Sequence, residues 1–253
     1  MKDLKGKRFL VTGGGTGIGQ GIVVQLAAAG AHVCFSYHAS IRGAEETLRQ
    51  VEGHAGKVWA LPANLENMDE GVRLVDAAVR QLGGIDGLVC NAGPTIPRPF
   101  LEITPEIWDR THNIHLKTAY FCAQAVVRHL PNPGRGRIIF IGSVHGHASA
   151  PKFSAYAAAK GGIEGLTRQL AIELAQRQIT VNCVAPGLVE VESYFRDYPD
   201  YRRDEAAKRV PVGRVGFPAD IAGMVAFLLT EQTDFLTGQT LAIDGGQLAR
   251  LAY

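Results

Sequence analysis

Three side chains in the second half of the chain have the types and spacing needed for proton transfer to or from a carbonyl or alcohol oxygen. Ser143 follows an apolar run that is typical of a buried strand, and Tyr156 and Lys160 lie four residues apart in a segment of helical composition. Residues at this spacing project from one face of a helix. An ammonium beside a phenol favours the phenolate, so such a tyrosine can act as an acid or base near neutral pH. Tyrosine and lysine also occur at this spacing by chance, so the interpretation depends on the rest of the chain.

The segments that would carry these side chains alternate between strand and helix almost from end to end. Apolar runs without clean alternation, separated by helices, predict a doubly wound parallel sheet of about seven strands with helices on both faces. We expect a single domain, residues 1–253, with a substrate lid at about residues 187–217, the least regular part. The predicted strands are 8–12, 32–37, 57–63, 87–90, 138–141, 180–184 and 240–243, and the predicted helices are 18–29, 44–52, 68–81, 105–130, 156–176 and 218–229.

Composition excludes several classes of function. The chain has 46% apolar and 20% charged residues and a net charge of +2, which is the profile of an ordinary globular protein without a nucleic-acid-binding surface. The sequence has no apolar stretch long enough for a membrane span and no signal peptide, so we expect a cytoplasmic protein. Cysteines 34, 90, 122 and 183 lie in apolar runs without metal-type spacing, so free buried thiols and no metal site are expected.

A glycine-rich turn between the first strand and the first helix predicts dinucleotide binding by a Rossmann-type domain. Glycines let the backbone approach a pyrophosphate, and the helix N-terminus supplies unpaired N–H groups. The residues expected to bind the cofactor here are Gly13, Gly15, Thr16, Gly17, Ile18 and Gly19. The second strand ends in Tyr37 and His38, with Arg42 nearby and no carboxylate before Glu45, so NADP(H) is slightly favoured over NAD(H).

The motifs of the chain resemble those of the short-chain dehydrogenase/reductase family over essentially its whole length. The family's TGxxxGxG motif matches residues 12–19, its NAG motif matches Asn91, Ala92 and Gly93, and its Ser…YxxxK pattern matches Ser143, Tyr156 and Lys160. Its PG turn and its C-terminal pattern match Pro186-Gly187, residues 236–239 and residues 244–246. The resemblance implies an NAD(P)-dependent oxidoreductase that transfers a hydride between nicotinamide and a carbonyl or secondary alcohol.

The resemblance also implies roles for individual residues. Tyr156 would be the acid/base, Ser143 would orient the substrate oxygen, and Lys160 would assist Tyr156 and bind the nicotinamide ribose. The remaining cofactor contacts would come from Asn64 and Leu65 at the adenine, Asn91, Ala92 and Gly93 in the cleft, and Pro186, Gly187 and Val189 at the carboxamide. A homotetramer built on helices 105–130 and 156–176 and the last strand is also implied.

Two residues depart from the family pattern. His115 stands seven residues after Trp108, where the family usually has a catalytic asparagine that anchors a water in a proton path. Asn113 lies two residues earlier and should point away from His115 on a helix. A neutral imidazole has one donor and one acceptor, so His115 either replaces the asparagine or merely satisfies a helix carbonyl. Val191 replaces a threonine whose hydroxyl contacts the cofactor.

Substrate choice in the family depends on the loops around the site. His145, Phe153 and Tyr194 are the candidate substrate residues here. A polar mouth lined by aromatic residues suits a hydroxylated substrate, so a sugar or polyol is expected, as in glucose 1-dehydrogenase-like members. A 3-oxoacyl thioester is the runner-up. A non-catalytic NADP(H)-binding sensor or scaffold is the alternative of a different class, and the presence of Ser143, Tyr156 and Lys160 argues against it.

Overall fold

The structure, a computed structural model, is built on a seven-stranded parallel sheet with strand order β3-β2-β1-β4-β5-β6-β7. It describes residues 4–131 and 134–250, without the side chains of residues 196 and 197. The strands are β1 (Arg8–Val11), β2 (His32–Tyr37), β3 (Val58–Pro62), β4 (Gly87–Cys90), β5 (Gly136–Ile141), β6 (Ile179–Pro186) and β7 (Thr240–Ile243). The predicted doubly wound α/β class is confirmed, and the predicted strands agree with these bounds to within two residues.

Helices cover both faces of the sheet and bury one apolar core on each side. They are α1 (Gly17–Ala28), α2 (Ile41–Gln50), α3 (Met68–Leu82), α4 (Pro105–His112), α5 (Thr118–His129), α6 (Ser154–Leu174), α7 (Ser193–Asp197), α8 (Arg203–Ala207) and α9 (Pro218–Leu228). On one face, Ile22 and Leu26 of α1 pack with Val225 of α9. On the other face, the core is formed by α3, α5 and α6 with the opposite sides of the strands. Burial on both faces explains why the strands lack an alternating pattern.

The predicted continuous helix over residues 105–130 is wrong at its centre. Thr104 caps α4 by accepting a hydrogen bond from the Ile107 amide, as its position before Pro105 predicts. A π-helical turn, Asn113–Lys117, then separates α4 from α5, and the amide of Thr118 donates to the carbonyl of Asn113. This wider turn carries His115 and turns its side chain into the interior.

The chain changes direction across the sheet between β1 and β4, which are neighbours although they are not consecutive. In parallel sheets, a crevice for ligands opens beyond the carboxyl ends of the strands at such a switch point. Each segment that holds a candidate site residue follows the carboxyl end of a strand or packs beside one. The topology therefore gathers these residues along one edge of the sheet.

The predicted lid region holds the two short helices α7 and α8. Its two ends meet at a parallel bridge between Val189 and Gly216, where the Glu190 amide donates to the Gly216 carbonyl at 2.9 Å. None of the helices in the described part of the chain has the length and apolar character that a membrane crossing needs.

Candidate active site

The turn between β1 and α1 has the geometry of a cradle for an anion. Gly13 adopts φ +68°, and its amide donates to the hydroxyl of Ser36 at 3.0 Å. A Cβ at Gly13 would lie 2.9 Å from the Cα of Ala92, so only glycine fits. Thr16 precedes α1 without a side-chain capping bond. Because nothing caps them, the amides of the first helical turn remain available to a phosphate.

The end of β4 braces this cradle. The side-chain amide of Asn91 donates to the carbonyls of Thr12 and Gly13, each at 3.0 Å. The hydroxyl of Thr12 in turn accepts from the backbone amides of Asn91 and Ala92 at 2.9 and 3.1 Å. Asn91 thus donates both hydrogens of its side-chain amide to the glycine-rich turn, and the backbone of Ala92 lines the crevice.

The ends of β2 and β3 form the side of the crevice expected to face adenosine. Tyr37 is half-buried beside Gly15, and His38 is exposed together with Arg42. Within the described residues, Arg42 has no ion-pair partner and so keeps its charge free for a ligand. After β3, the amide of Asn64 donates to Glu70 at 2.7 Å, and Leu65 is buried.

The structure brings Ser143, Tyr156 and Lys160 to the same edge. Lys160 is 4% exposed, and its ammonium donates to the Ile141 carbonyl at 2.7 Å and lies 5.5 Å from the centre of the Tyr156 ring. Ser143 is buried directly after β5, and its oxygen accepts from the His145 amide at 3.2 Å. The Ser143 proton is therefore free to be donated to a substrate oxygen, and Lys160 keeps two of its three N–H donors for other partners.

His115 approaches Tyr156 from the π-helical turn. The two rings meet edge to face, with centres 5.1 Å apart. Nε2 of His115 lies 3.0 Å from the carbonyl oxygen of Pro94, so of the two alternatives the bond to a helix carbonyl is wrong, and the bond goes to the loop after β4. Burial, together with the charge of Lys160, lowers the pKa of His115 to about 3. The imidazole is therefore neutral at physiological pH.

The hydrogen bond to Pro94 fixes the tautomer of His115. A carbonyl only accepts, so Nε2 carries the hydrogen and Nδ1 is an acceptor. Nδ1 is buried without a hydrogen-bond partner among the described residues, and so is the hydroxyl of Thr118 one turn later. Both residues line a small cavity together with Thr12 and Lys160. Buried polar groups of this kind are typical of a site for ordered water.

Aromatic rings form the wall of the crevice next to Tyr156. His145 packs on Phe153 with ring centres 4.3 Å apart, and both rings meet Tyr156 at an angle, at 5.8 and 6.3 Å. Burial lowers the pKa of His145, so it is a neutral hydrogen-bonding group. Burial also raises the pKa of Tyr194, and the nearby Tyr198 and Tyr156 add to the shift. Of the three predicted substrate residues, His145 and Phe153 thus lie beside the Tyr156 ring, and Tyr194 is close enough for an electrostatic interaction with it.

The turn after β6 closes the crevice on the side expected to face nicotinamide. Pro186 ends β6, the Gly187 amide donates to the carbonyl of Ile243 at 3.1 Å, and Val189 is buried. Val191 lies over the start of α1, where a Cβ at Gly17 would be 3.1 Å from its methyl carbon. The turn after β6 therefore reaches the glycine-rich turn.

Sequence reasoning missed several residues that shape the site. Thr12 and Ser36 both hold the glycine-rich turn, and a hydroxyl at the end of an apolar strand was the available signal for each. Gln247 accepts from the Leu188 amide at 2.7 Å, and Thr118 faces the cavity beside His115. Gln247 has no local sequence signal because it acts on a segment distant in the chain, and Thr118 has none because the cavity that it faces is lined by several segments.

Comparison with known proteins gives full-length matches. A family model described as enoyl-(acyl carrier protein) reductase matches residues 13–247. The 2-dehydro-3-deoxy-D-gluconate 5-dehydrogenase of Escherichia coli (strain K12) is 37% identical over 250 residues, or 98% of each chain. The structure of acetoin dehydrogenase from Enterobacter cloacae superposes with a TM-score of 0.89 at 32% identity over 98% of both chains. A short-chain dehydrogenase from Burkholderia cenocepacia J2315 in complex with NADP superposes with a TM-score of 0.89 at 33% identity, over 97% of this chain and 99% of that one.

Proposed function

Because the chain belongs to the short-chain dehydrogenase/reductase family and is an NAD(P)-dependent oxidoreductase acting on CH–OH groups, we propose that Tyr156 is its acid/base. The observation that carries this role is the buried ammonium of Lys160 beside the Tyr156 ring, at the same edge as the Ser143 hydroxyl. The nicotinamide cofactor, when bound, supplies or accepts the hydride. Tyr156 gives a proton to the substrate oxygen in reduction and takes it back in oxidation.

Ser143 acts on the substrate oxygen in that proton transfer, and Lys160 acts on the Tyr156 phenol. Ser143 donates its free proton to the substrate oxygen and so orients it towards Tyr156. Lys160 is buried with its ammonium 5.5 Å from the centre of the Tyr156 ring, and little water lies there to weaken its electrostatic interaction with that ring. One of its N–H groups is fixed by Ile141, and the others are free for the hydroxyls of the nicotinamide ribose.

His115 acts in this proposal as an acceptor for water rather than as a proton carrier. Its pKa of about 3 keeps the ring neutral, and its Nε2 hydrogen is used by Pro94. Nδ1 and the Thr118 hydroxyl hold a water beside Lys160 in the cavity that these residues line. In this way His115 replaces the usual asparagine and also ties the loop after β4 to the helix.

The residues at the glycine-rich turn and at the ends of β2 and β3 fit a dinucleotide that carries a 2′-phosphate, as NADP(H) does. The uncapped first turn of α1 suits the pyrophosphate, and Tyr37 and His38 leave the end of β2 without a carboxylate that would repel a 2′-phosphate. Arg42 is unpaired and exposed among the described residues. These features and the NADP bound to the Burkholderia relative support NADP(H) over NAD(H).

The substrate that the site fits best is a sugar or polyol. Neutral His145 and the phenol of Tyr194 offer hydrogen bonds, and Phe153 offers an apolar surface, a combination that suits a polyhydroxylated carbon chain. The relative from Escherichia coli acts on a keto-deoxy sugar acid by its name. A 3-oxoacyl thioester is the second candidate, since the description of the matching family model names acyl carrier protein.

Assembly as a homotetramer is also proposed, with its interfaces on α5, α6 and β7. Tyr120 on α5 is 37% exposed and Ile172 on α6 is 74% exposed, and Phe235 before β7 is fully exposed. Large apolar side chains grouped on such elements are typical of subunit contacts. Light scattering at known concentration tests this assembly. The cytoplasm is proposed from the four buried free thiols, which suit a reducing compartment.

The decisive experiment measures nicotinamide absorbance with a panel of sugars, polyols, ketones and a 3-oxoacyl thioester. NAD(H) and NADP(H) are compared for the parent protein and for Tyr156→Phe. We expect turnover with a sugar or polyol that the variant loses by a factor of about 100 or more, because a positioned acid/base contributes that much. Cofactor binding by both proteins without turnover on any substrate would favour the non-catalytic alternative.

A further inference from the structure

Glu164 is a buried carboxylate two turns after Tyr156 and one turn after Lys160. The three residues are spaced by four in α6, so they lie along one face of the helix. Glu164 is 7% exposed, and its Oε1 has no aligned hydrogen-bond donor among the described residues. Burying a carboxylate is costly unless a charge or donor compensates it. A carboxylate kept at this position therefore requires a partner.

The partner is His147, at the end of the short turn that begins with Ser143. Nδ1 of His147 lies 2.8 Å from Oε1 of Glu164, a close contact that is an ion pair when the imidazole is protonated, and no aligned hydrogen bond joins the two atoms. Within the turn, the Gly146 amide donates to the Ser143 carbonyl at 2.9 Å, and the His147 amide donates to the Val144 carbonyl at 3.0 Å. His147 and Ser143 are thus ends of one compact turn, and a restraint on His147 is transmitted to Ser143.

The backbone of this turn packs directly on α6. A Cβ at Gly146 would lie 2.2 Å from Oε1 of Glu164 and 3.3 Å from the carbonyl carbon of Lys160. A larger residue at position 146 would therefore displace the turn from the helix. Glu164 touches the turn twice, at the glycine backbone and at the imidazole. This geometry sets the distance between the Ser143 segment and the helix that carries Tyr156 and Lys160.

We propose that Glu164 is a positioning residue that acts through His147 to hold the Ser143 hydroxyl opposite the Tyr156 phenol. The inference rests on the proposed role of Ser143. Loss of the Glu164–His147 contact lets the turn move away from α6, which displaces the hydroxyl that orients the substrate oxygen. The glycine-rich turn and Lys160 are not part of the turn that moves, so cofactor binding should change little when this contact is lost.

The test compares kcat, KM and NADPH affinity for Glu164→Leu and His147→Ala. We expect each variant to lower kcat about tenfold, since small misplacements of a catalytic group have effects of this order or larger. The dissociation constant for NADPH should change by less than about twofold. His147→Ala is the safer variant for folding, because its side chain is half exposed and its removal introduces no new group into the core.

A matched control exists on the other helices of the same face. Nε2 of His129 at the end of α5 lies 2.9 Å from Oδ1 of Asp76 on α3; this histidine–carboxylate pair has nearly the same distance but is more exposed and forms a hydrogen bond. His129→Ala and Asp76→Leu remove that pair far from Ser143 and should leave kcat within about twofold of the parent. If these two variants lowered kcat as much as His147→Ala does, loss of any histidine–carboxylate pair would have this effect, and the proposal would be overturned.

A double-mutant cycle separates positioning from a general structural role. In a Ser143→Ala background, His147→Ala should lower kcat by less than about twofold further, because the group that it positions is already absent. The same tenfold loss in both backgrounds would overturn the proposal. If Tyr156→Phe and Ser143→Ala retain full turnover, the proposed function itself fails. If they lose turnover and His147→Ala does not, only the role of Glu164 fails.

Discussion

The buried imidazole of His115 makes the stability of the protein depend on pH in a defined window. Burial lowers its pKa to about 3 in the folded protein, against about 6.5 in an unfolded chain. Between these values the unfolded chain binds a proton that the folded protein does not, so the free energy of unfolding rises with pH. The contribution of His115 is complete above about pH 6.5 and is lost progressively as the pH falls towards about 3.

The size of the effect follows from the two pKa values. Lowering the pH from about 8 to about 5 removes about 2 kcal/mol of stability through His115 alone. The figure is insensitive to the folded pKa, because any value below about 4 leaves the ring almost fully neutral at about pH 5. Carboxylates and other histidines add their own pH dependence. Their contributions cancel when the parent is compared with a variant that lacks only His115.

The assay is urea unfolding of the parent and of His115→Asn at both pH values and at one protein concentration. We expect the parent to lose about 2 kcal/mol more than the variant between about pH 8 and about pH 5. A pH-independent loss from the changed side chain does not affect this difference. His54→Asn is the control, since His54 is exposed, and it should follow the parent. Equal pH dependence in the parent and in His115→Asn would refute the buried neutral imidazole.

Three further predictions concern the cofactor and the segment after β6. Val191→Thr places a hydroxyl over the start of α1 and should lower the Kd for NADPH about fivefold, the equivalent of about 1 kcal/mol. A fluorescence titration measures this Kd. An unchanged value would contradict a contact between this residue and the cofactor. Arg42→Ala should raise the Kd for NADPH about tenfold and leave that for NADH unchanged, and equal losses for both would rule out a 2′-phosphate contact. Arg203 holds the pKa of the Glu190 carboxylate below its usual value, with help from Tyr201. Glu190→Gln should therefore lower the Tm by about 3 °C. The Tm is measured by calorimetry above about pH 6, where the carboxylate is charged. An unchanged Tm would show that the Glu190–Arg203 pair does not stabilise the fold.

The sequence was sufficient for the sheet and for the edge where the site lies. The bounds of β2, β4 and β7 agree with the prediction residue for residue, because buried parallel strands are short apolar runs between turn signals. The glycine-rich turn, Asn91 and Ser143 come together for a topological reason, since each follows the carboxyl end of a parallel strand. Tyr156 and Lys160 share a face because four residues are nearly one helical turn.

The details inside the crevice depend on contacts between distant segments, and local patterns do not encode them. The π-helical turn adds one residue to a helical turn without changing helix propensity. The sequence pattern of residues 105–130 therefore predicts a helix whether or not this turn is present. That single extra residue rotates everything after it by about 100° relative to α4, and it sets where His115 and Thr118 point. The bond from His115 to Pro94 spans 21 residues, and the contact of His147 with Glu164 depends on how closely one turn packs on one helix. The parts of the site that depend on residue type and strand order can thus be predicted from the sequence. The parts that depend on the direction in which a side chain points from a helix require the three-dimensional packing.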